Sequence, residues 1–422
     1  MNKKVWLTVL MLALLCIPLG TATFAAKTTT IRFNFFGNLN EINVAKEWVK
    51  DFEAKNRNIK IDFESIGSNE ISTKMLTSSA GGNAPDVTRM THAYGQSWAS
   101  KGILLDLTPY LKKEPKFYAD FNQGALDIYK YDGKQYGLPH TLMCRALLYS
   151  KDLFDKAHIG YPDREWTWTK FAEAASKLTV KQNGRVIQWG FQLAPEVPGM
   201  FALFLEQAGG RFYNNQRNKV AFNTKAGVET LDFWRDLIYK YEASPSPAVG
   251  SQLNHEQAFK LGKVAMIISG PWNRPVLAKE APNLHYGVAE LPYYKERSNN
   301  FMADGIGIWA GSKNKVAAWK FVHFIMERKQ QNLWWTTLKS HFPVTKSSLN
   351  YLMRKGLKKD DLALPFIKGL EYSKADTWHP KFLEVQPVLV RTFQAVLDEG
   401  THLDPSKALD LAEKEINKVL AK

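Results

Sequence analysis

Ala265-Met-Ile-Ile-Ser-Gly-Pro-Trp-Asn273 is the stretch from which the rest of the chain is read outward. Residues 265–268 are an apolar run too short for a helix and bounded by turn formers, the pattern of a buried strand. Gly270-Pro271 ends it, because Pro cannot extend a ladder and Gly permits a sharp exit. Trp272 and Asn273 then emerge at the carboxyl end of the strand, where open α/β sheets hold their ligands. A flat indole beside an amide that both donates and accepts suits a sugar ring. The same residues also fit an indole plugged into a core behind a turn, and the local sequence does not separate the two.

Upstream, Ile31, Phe33 and Phe35 alternate with polar residues as a strand, and Val44, Ala45, Trp48, Val49 and Phe52 recur at helical spacing. Ile59, Ile61 and Phe63 alternate again, 71–76 is a short helix, and 86–90 a third strand, with Gly-rich turns at Gly37 and Gly81-Gly82. Strand and helix in alternation predict a parallel sheet covered by helices. Two further apolar strands, 136–139 and 146–149, are joined by 140–145. The alternation then restarts, with helices expected over 169–178, 200–207, 224–241, 316–326, 330–338, 388–397 and 405–420. Extended segments are expected at 188–193, 286–290 and 301–309. Two parallel-sheet lobes with several passages between them satisfy this order.

Residues 1–26 read as a secretory signal: Lys3 and Lys4, an apolar run over 5–19, and a small-residue exit. Leu15 stands before Cys16 where lipid attachment wants a small residue, so Cys16 is expected to leave with the signal. A secreted chain without a lipid anchor points to the periplasm of a two-membrane bacterium. Cys144 is then the single remaining thiol, which excludes an internal disulfide and a cysteine zinc site. With 45% apolar and 13% aromatic residues, a mature chain of roughly 400 residues has material for two domains. The net charge of +15 falls to +13 without Lys3 and Lys4, but the charges are scattered. The densest cluster (Arg354, Lys355, Lys358, Lys359) is followed by Asp360 and Asp361, so a nucleic-acid partner is not expected.

No nucleophile elbow, zinc-protease helix, phosphate-cradling loop or calcium loop occurs, and Gly305-Ile-Gly307-Ile-Trp-Ala-Gly311 misplaces the third Gly of a dinucleotide fingerprint. No cofactor or metal is expected, although loop oxygens holding calcium leave no such signature. Six segments in order carry a resemblance: Ala84-Pro-Asp-Val87, Gly102-Ile-Leu-Leu-Asp-Leu-Thr-Pro-Tyr110, Tyr131-Asp-Gly-Lys-Gln-Tyr-Gly-Leu-Pro139, Leu147-Leu-Tyr-Ser-Lys-Asp-Leu153, Ala265-Met-Ile-Ile-Ser-Gly-Pro-Trp272 and Ala318-Trp-Lys-Phe-Val-His-Phe324. Together they resemble the extracellular solute-binding proteins of bacterial ABC importers, in the sugar-binding branch that includes the maltose-binding protein.

The resemblance implies an α/β fold of two parallel-sheet lobes, three crossings (near 141–143, 291–300 and 339–342) and a hinged cleft. The lobes would be 27–141 with 296–340, and 142–295 with 341–422. It implies first-lobe contacts at Phe36, Asn38, His92 and Tyr94 and an aromatic wall at Trp272 with Asn273. It adds a polar group beside a tight turn at Asp304 and Gly305, and weaker positions at Glu196, Phe342 and Trp378. Trp334, Trp335, Trp166 and Trp168 are expected to pack. Arg145 departs from the pattern. It fits a salt bridge across the lobes or, facing the cleft, a fork for a carboxylate or phosphate. The implied function is capture of a sugar or short oligosaccharide, neutral or acidic, by a monomeric receptor that delivers it to a membrane permease. The competing functions are a secreted polysaccharide lyase or glycosidase, and a receptor for a polyol phosphate or other anionic solute.

Overall fold

A computed structural model describes residues 28–67, 70–195, 198–374 and 379–421. The signal segment 1–26, Glu196 and Trp378 lie outside them. Among the described residues no helix is long and apolar enough to cross a membrane.

Ile31, Phe33 and Phe35 are fully buried, and they seat β1 (Thr29–Phe36) at the heart of the first lobe. β1 runs parallel to β2 (Ile59–Ile66) and β3 (Val87–Met90), and Phe33 meets Phe63 edge-on at 5.6 Å. The chain then enters α1 (Leu39–Lys55). Asn38 caps it, its Oδ1 accepting from the Asn40 and Glu41 amides at 3.0 and 3.1 Å, while Glu41 Oε2 accepts from the Asn38 amide at 3.1 Å. This reciprocal box fixes where the helix begins. Val44, Ala45, Trp48 and Phe52 form its buried stripe.

β4 (Gly137–Pro139) and β10 (Gly305–Ile308) complete the first sheet in the order β2-β1-β3-β10-β4. The second sheet holds β5 (Ala146–Ser150), β6 (Val180–Gln182), β7 (Arg185–Phe191), β8 (Val264–Ser269) and β9 (Tyr286–Ala289), in the order β9-β5-β8-β7-β6. Every residue of β8 is buried.

Both sheets are mixed rather than wholly parallel. β10 runs antiparallel to β3 and β4, and β5 antiparallel to β8 and β9. The cause lies in the connections. β5 and β10 arrive directly from the opposite lobe, so no helical crossover forces them into the direction of their neighbours. Helices over Lys346–Arg354 and Leu364–Glu371 were not anticipated, and the amide of Asn122 donates to the carbonyl of Val344 at 2.9 Å.

Three segments that run between the sheets meet edge to edge. Leu142 and Phe342 exchange amide–carbonyl bonds of 2.8 and 3.0 Å, and Met143 and Met302 exchange bonds of 2.8 and 2.9 Å. This short ribbon forms the back of the gap between the lobes.

Candidate ligand-binding cleft

The gap has a volume of about 980 Å³, near the upper end of small-ligand sites. The topology explains its position. β1 and β3 end at it, the antiparallel β10 starts at it, β8 ends at it and β5 starts at it, so loops from both sheets converge there.

The first wall is built on Arg89, which lies in β3 with only 2% of its surface exposed. Its guanidinium donates to Asp304 Oδ2 and to the Phe36 carbonyl, both at 2.5 Å, and to Glu41 Oε2 at 3.4 Å. It also stacks over Phe36 and Phe35, 4.3 and 4.6 Å from the ring centroids. Burial works against the charge, but Asp304 and Glu41 outweigh it and raise its pKa. One arginine therefore ties the end of β1, the first turn of α1 and the approach to β10 into a single surface.

Phe36, Asn38, Glu41, His92, Asp304 and His341 line that wall beside Arg89. Desolvation lowers the pKa of His92 to about 4, with Asp304 opposing and Arg145 assisting. Burial lowers that of buried His341 to about 3, with Asp304 opposing and Arg89 assisting. Both imidazoles are neutral at ordinary pH and can donate and accept.

The second wall is a relay of side chains. Asn273 Nδ2 donates to Ser269 Oγ at 2.7 Å, Ser269 Oγ donates to Glu256 Oε1 at 2.6 Å, and Trp272 Nε1 donates to the same oxygen at 2.9 Å. Gly270 lies against the indole, and a Cβ there would collide with the ring. The indole is thus fixed on one side and half-exposed to the cleft on the other. Lys260 pairs with Glu280 at the rim.

Arg145, at the foot of β5, faces the back of the cleft with Met143 and Met302. Asn299 clamps its backbone, accepting from the Arg145 amide at 3.2 Å and donating to its carbonyl at 2.7 Å. The anticipated salt bridge across the lobes is not formed: among the described residues Arg145 has no carboxylate within 4.0 Å.

Phe36, Asn38, His92, Arg145, Trp272, Asn273 and Asp304 thus come together, and three other anticipated residues do not. Tyr94 stacks on Trp98 at 5.2 Å, because the turn after β3 directs His92 rather than Tyr94 into the gap. Gly305 lies under the Tyr129 ring, which a Cβ would approach to 2.5 Å, so close packing accounts for the absent side chain. Phe342 is fully buried against Trp335 at 5.4 Å. Its neighbour His341 faces the cleft instead. Trp166, Trp168, Trp334 and Trp335 are packed in the cores. Glu41, Arg89, Glu256 and His341 were missed. Arg89 did leave a signal, as a charge inside a strand with both faces buried.

Among the described residues no cluster of three or more His, Cys, Asp or Glu is placed to hold a metal ion. The carboxylates of the cleft are each engaged as acceptors, which suits hydroxyl recognition.

The family model for bacterial extracellular solute-binding proteins matches residues 37–332. The chain belongs to this family. Among similar proteins, a binding protein of Brucella abortus (strain 2308) is 28% identical over 285 residues, covering 67% of this solute-binding protein and 68% of the relative. The arabinooligosaccharide-binding protein of Bacillus subtilis (strain 168) is 25% identical over 320 residues, covering 72% and 71%. An ABC substrate-binding protein of Listeria monocytogenes in complex with cycloalternan superposes with a TM-score of 0.83 at 29% identity, covering 94% of this solute-binding protein and 100% of that chain. The family and these neighbours are binding proteins, and membership implies a location outside the cytoplasmic membrane and an ABC permease as partner.

Proposed function

We propose that this solute-binding protein captures a sugar or short oligosaccharide in the interlobe cleft and presents it to the permease of an ABC importer. The observation that carries this reading is the opposition of the two walls. A braced indole with one face half-exposed stands across from Arg89-bound Asp304 and neutral His92 and His341. Stacking on one side of a ring and hydroxyl bonding at its edge need that combination. In this reading Asp304 accepts from hydroxyls while Arg89 holds it in place, and Asn273 and Asn38 supply amides. The protein acts alone, after removal of residues 1–26 and release to the periplasm. Its lobes are 27–141 with 296–340, and 142–295 with 341–422. The engaged carboxylates support capture without chemistry, since a glycosidase needs an acid free to donate its proton.

Closure follows from ligand contacts made by both walls together, because a ligand shifts an open–closed balance only through better contacts in one form. A thermal-shift screen of the mature protein against mono-, di- and oligosaccharides tests the reading. A specific sugar raises the melting temperature by mass action and reduces the radius of gyration in small-angle scattering. Stabilisation by no sugar, or release of hydrolysed product on prolonged incubation, contradicts it.

A further inference from the structure

We propose that the captured sugar carries a carboxylate, and that Arg145 is the residue that selects it. This inference rests on the sugar-receptor reading above and narrows the substrate class of the same site.

Arg145 is 91% removed from solvent, being 9% exposed, yet among the described residues it makes no ion pair, and its buried Nε has no hydrogen-bond partner. Arg89 and Arg274 share the unbonded Nε, and the contrast with them lies in the ion pairing. Each of those buried guanidiniums is matched by carboxylates, Arg89 by Asp304 and Glu41, and Arg274 by Asp360 at 2.9 Å. A buried cation left without a counter-charge is costly, and a fold keeps one where something else supplies the anion. The acid that acts on Arg145 most is Glu256, which lies beyond 4.0 Å and whose Oε1 already accepts from Ser269 and Trp272. Burial lowers the pKa of Arg145 to about 10, so it stays cationic at neutral pH.

The location supports selection. The Asn299 clamp fixes the Arg145 backbone at the back of the cleft, and the nearby thioethers of Met143, Met200 and Met302 offer no oxygen to compete for the fork. Guanidinium geometry matches a carboxylate with two parallel bonds, whereas sugar hydroxyls lack both the charge and the paired acceptors. The opposite-wall acids Asp304 and Glu41 share Arg89, so a ligand carboxylate beside Arg145 meets its match on one side of the cleft only.

Calorimetry on the mature protein tests this with three probe sets: neutral oligosaccharides of glucose, galactose and arabinose; oligouronides from pectin, alginate and glycosaminoglycans; and glycerol 3-phosphate with a sulfated disaccharide. An oligouronide is expected to bind more tightly than its neutral counterpart. Arg145→Gln is expected to weaken that binding by at least about tenfold, the effect of losing hydrogen bonds to a charged group. Ligand-free Arg145→Gln should melt no lower than the parent, since no ion pair among the described residues is lost. If the glutamine variant does not fold, Arg145→Lys keeps the charge without the fork and should still weaken uronide binding.

Neutral sugars that bind as tightly as uronides would overturn the proposal and leave the sugar reading standing, as would uronide affinity indifferent to Arg145. Binding of the sulfated disaccharide alone would overturn the carboxylate proposal and leave the sugar reading standing, whereas binding of glycerol 3-phosphate alone, or of none of the three sets, would overturn both.

Discussion

Arg89 Nη2 donates to Asp304 Oδ2 at 2.5 Å, and this bond joins the end of β3 to the approach to β10 across the first wall of the cleft. Removing one member of a buried ion pair leaves its partner charged and desolvated, whereas removing both is far better tolerated. Arg89→Met is therefore expected to destabilise the protein by about 3–5 kcal/mol in urea unfolding. Arg89→Met combined with Asp304→Asn should lose clearly less. Equal losses in the single and double variants would contradict the pairing.

Trp272 should separate stacking from bracing. Trp272→Ala is expected to weaken sugar binding at least about tenfold, beyond the ~1 kcal/mol of one aromatic contact because buried area is lost too. Trp272→Phe keeps a ring but loses the bond from Nε1 to Glu256, and should fall between the two. An unchanged dissociation constant for the alanine variant would remove the indole from the site.

His341 makes stability depend on pH. Burial holds its folded pKa at about 3, against an ordinary value of 6.5. As pH falls below 6.5 the unfolded chain takes up the proton first. This contribution is complete above about 6.5 and declines as pH falls toward about 3, by up to ~1.4 kcal/mol per pH unit. His341→Asn should flatten the fall in melting temperature between pH 6.5 and pH 4. Parallel curves for variant and parent would contradict the assignment.

Gly305→Ala is expected to cost ~1–3 kcal/mol through overpacking against Tyr129. Tyr129 cannot retreat easily, because its hydroxyl donates to the Ala303 carbonyl at 2.5 Å. Pairing Gly305→Ala with Tyr129→Leu should recover part of the loss in denaturant titrations. No loss in the single variant would mean that the glycine is retained for another reason.

Much of the fold was legible because period and punctuation are local. The buried run of β8 with its Gly-Pro stop, the capped stripe of α1 and the alternation of β1 all sit within a few residues of sequence. Strand direction was not legible: β5 and β10 run antiparallel to their neighbours because of which lobe they come from, a long-range property. Among the residues that line the cleft, Trp272 could be read from its place at a strand end, and Phe36 and Asp304 from the family resemblance. Glu256 could not, because nothing beside it in sequence marks it, and Arg89 showed only as a charge within a strand, its carboxylate partners lying 48 and 215 residues away. Between neighbours the difficulty was finer: His92 rather than Tyr94, and His341 rather than Phe342, depends on how a turn rotates side chains.

The paired bonds between Leu142 and Phe342 and between Met143 and Met302 fasten the passages to one another at the back of the gap. Lobes joined in this way cannot slide past each other without breaking those ladders, but they can swing about the line the ladders define. In a swing about that line, residues far from it would travel furthest, so the pair Lys260–Glu280 would move more than Arg145 beside it. The end of the site proposed to select the ligand would then be its still point, and the permease would sense occupancy at the moving edge.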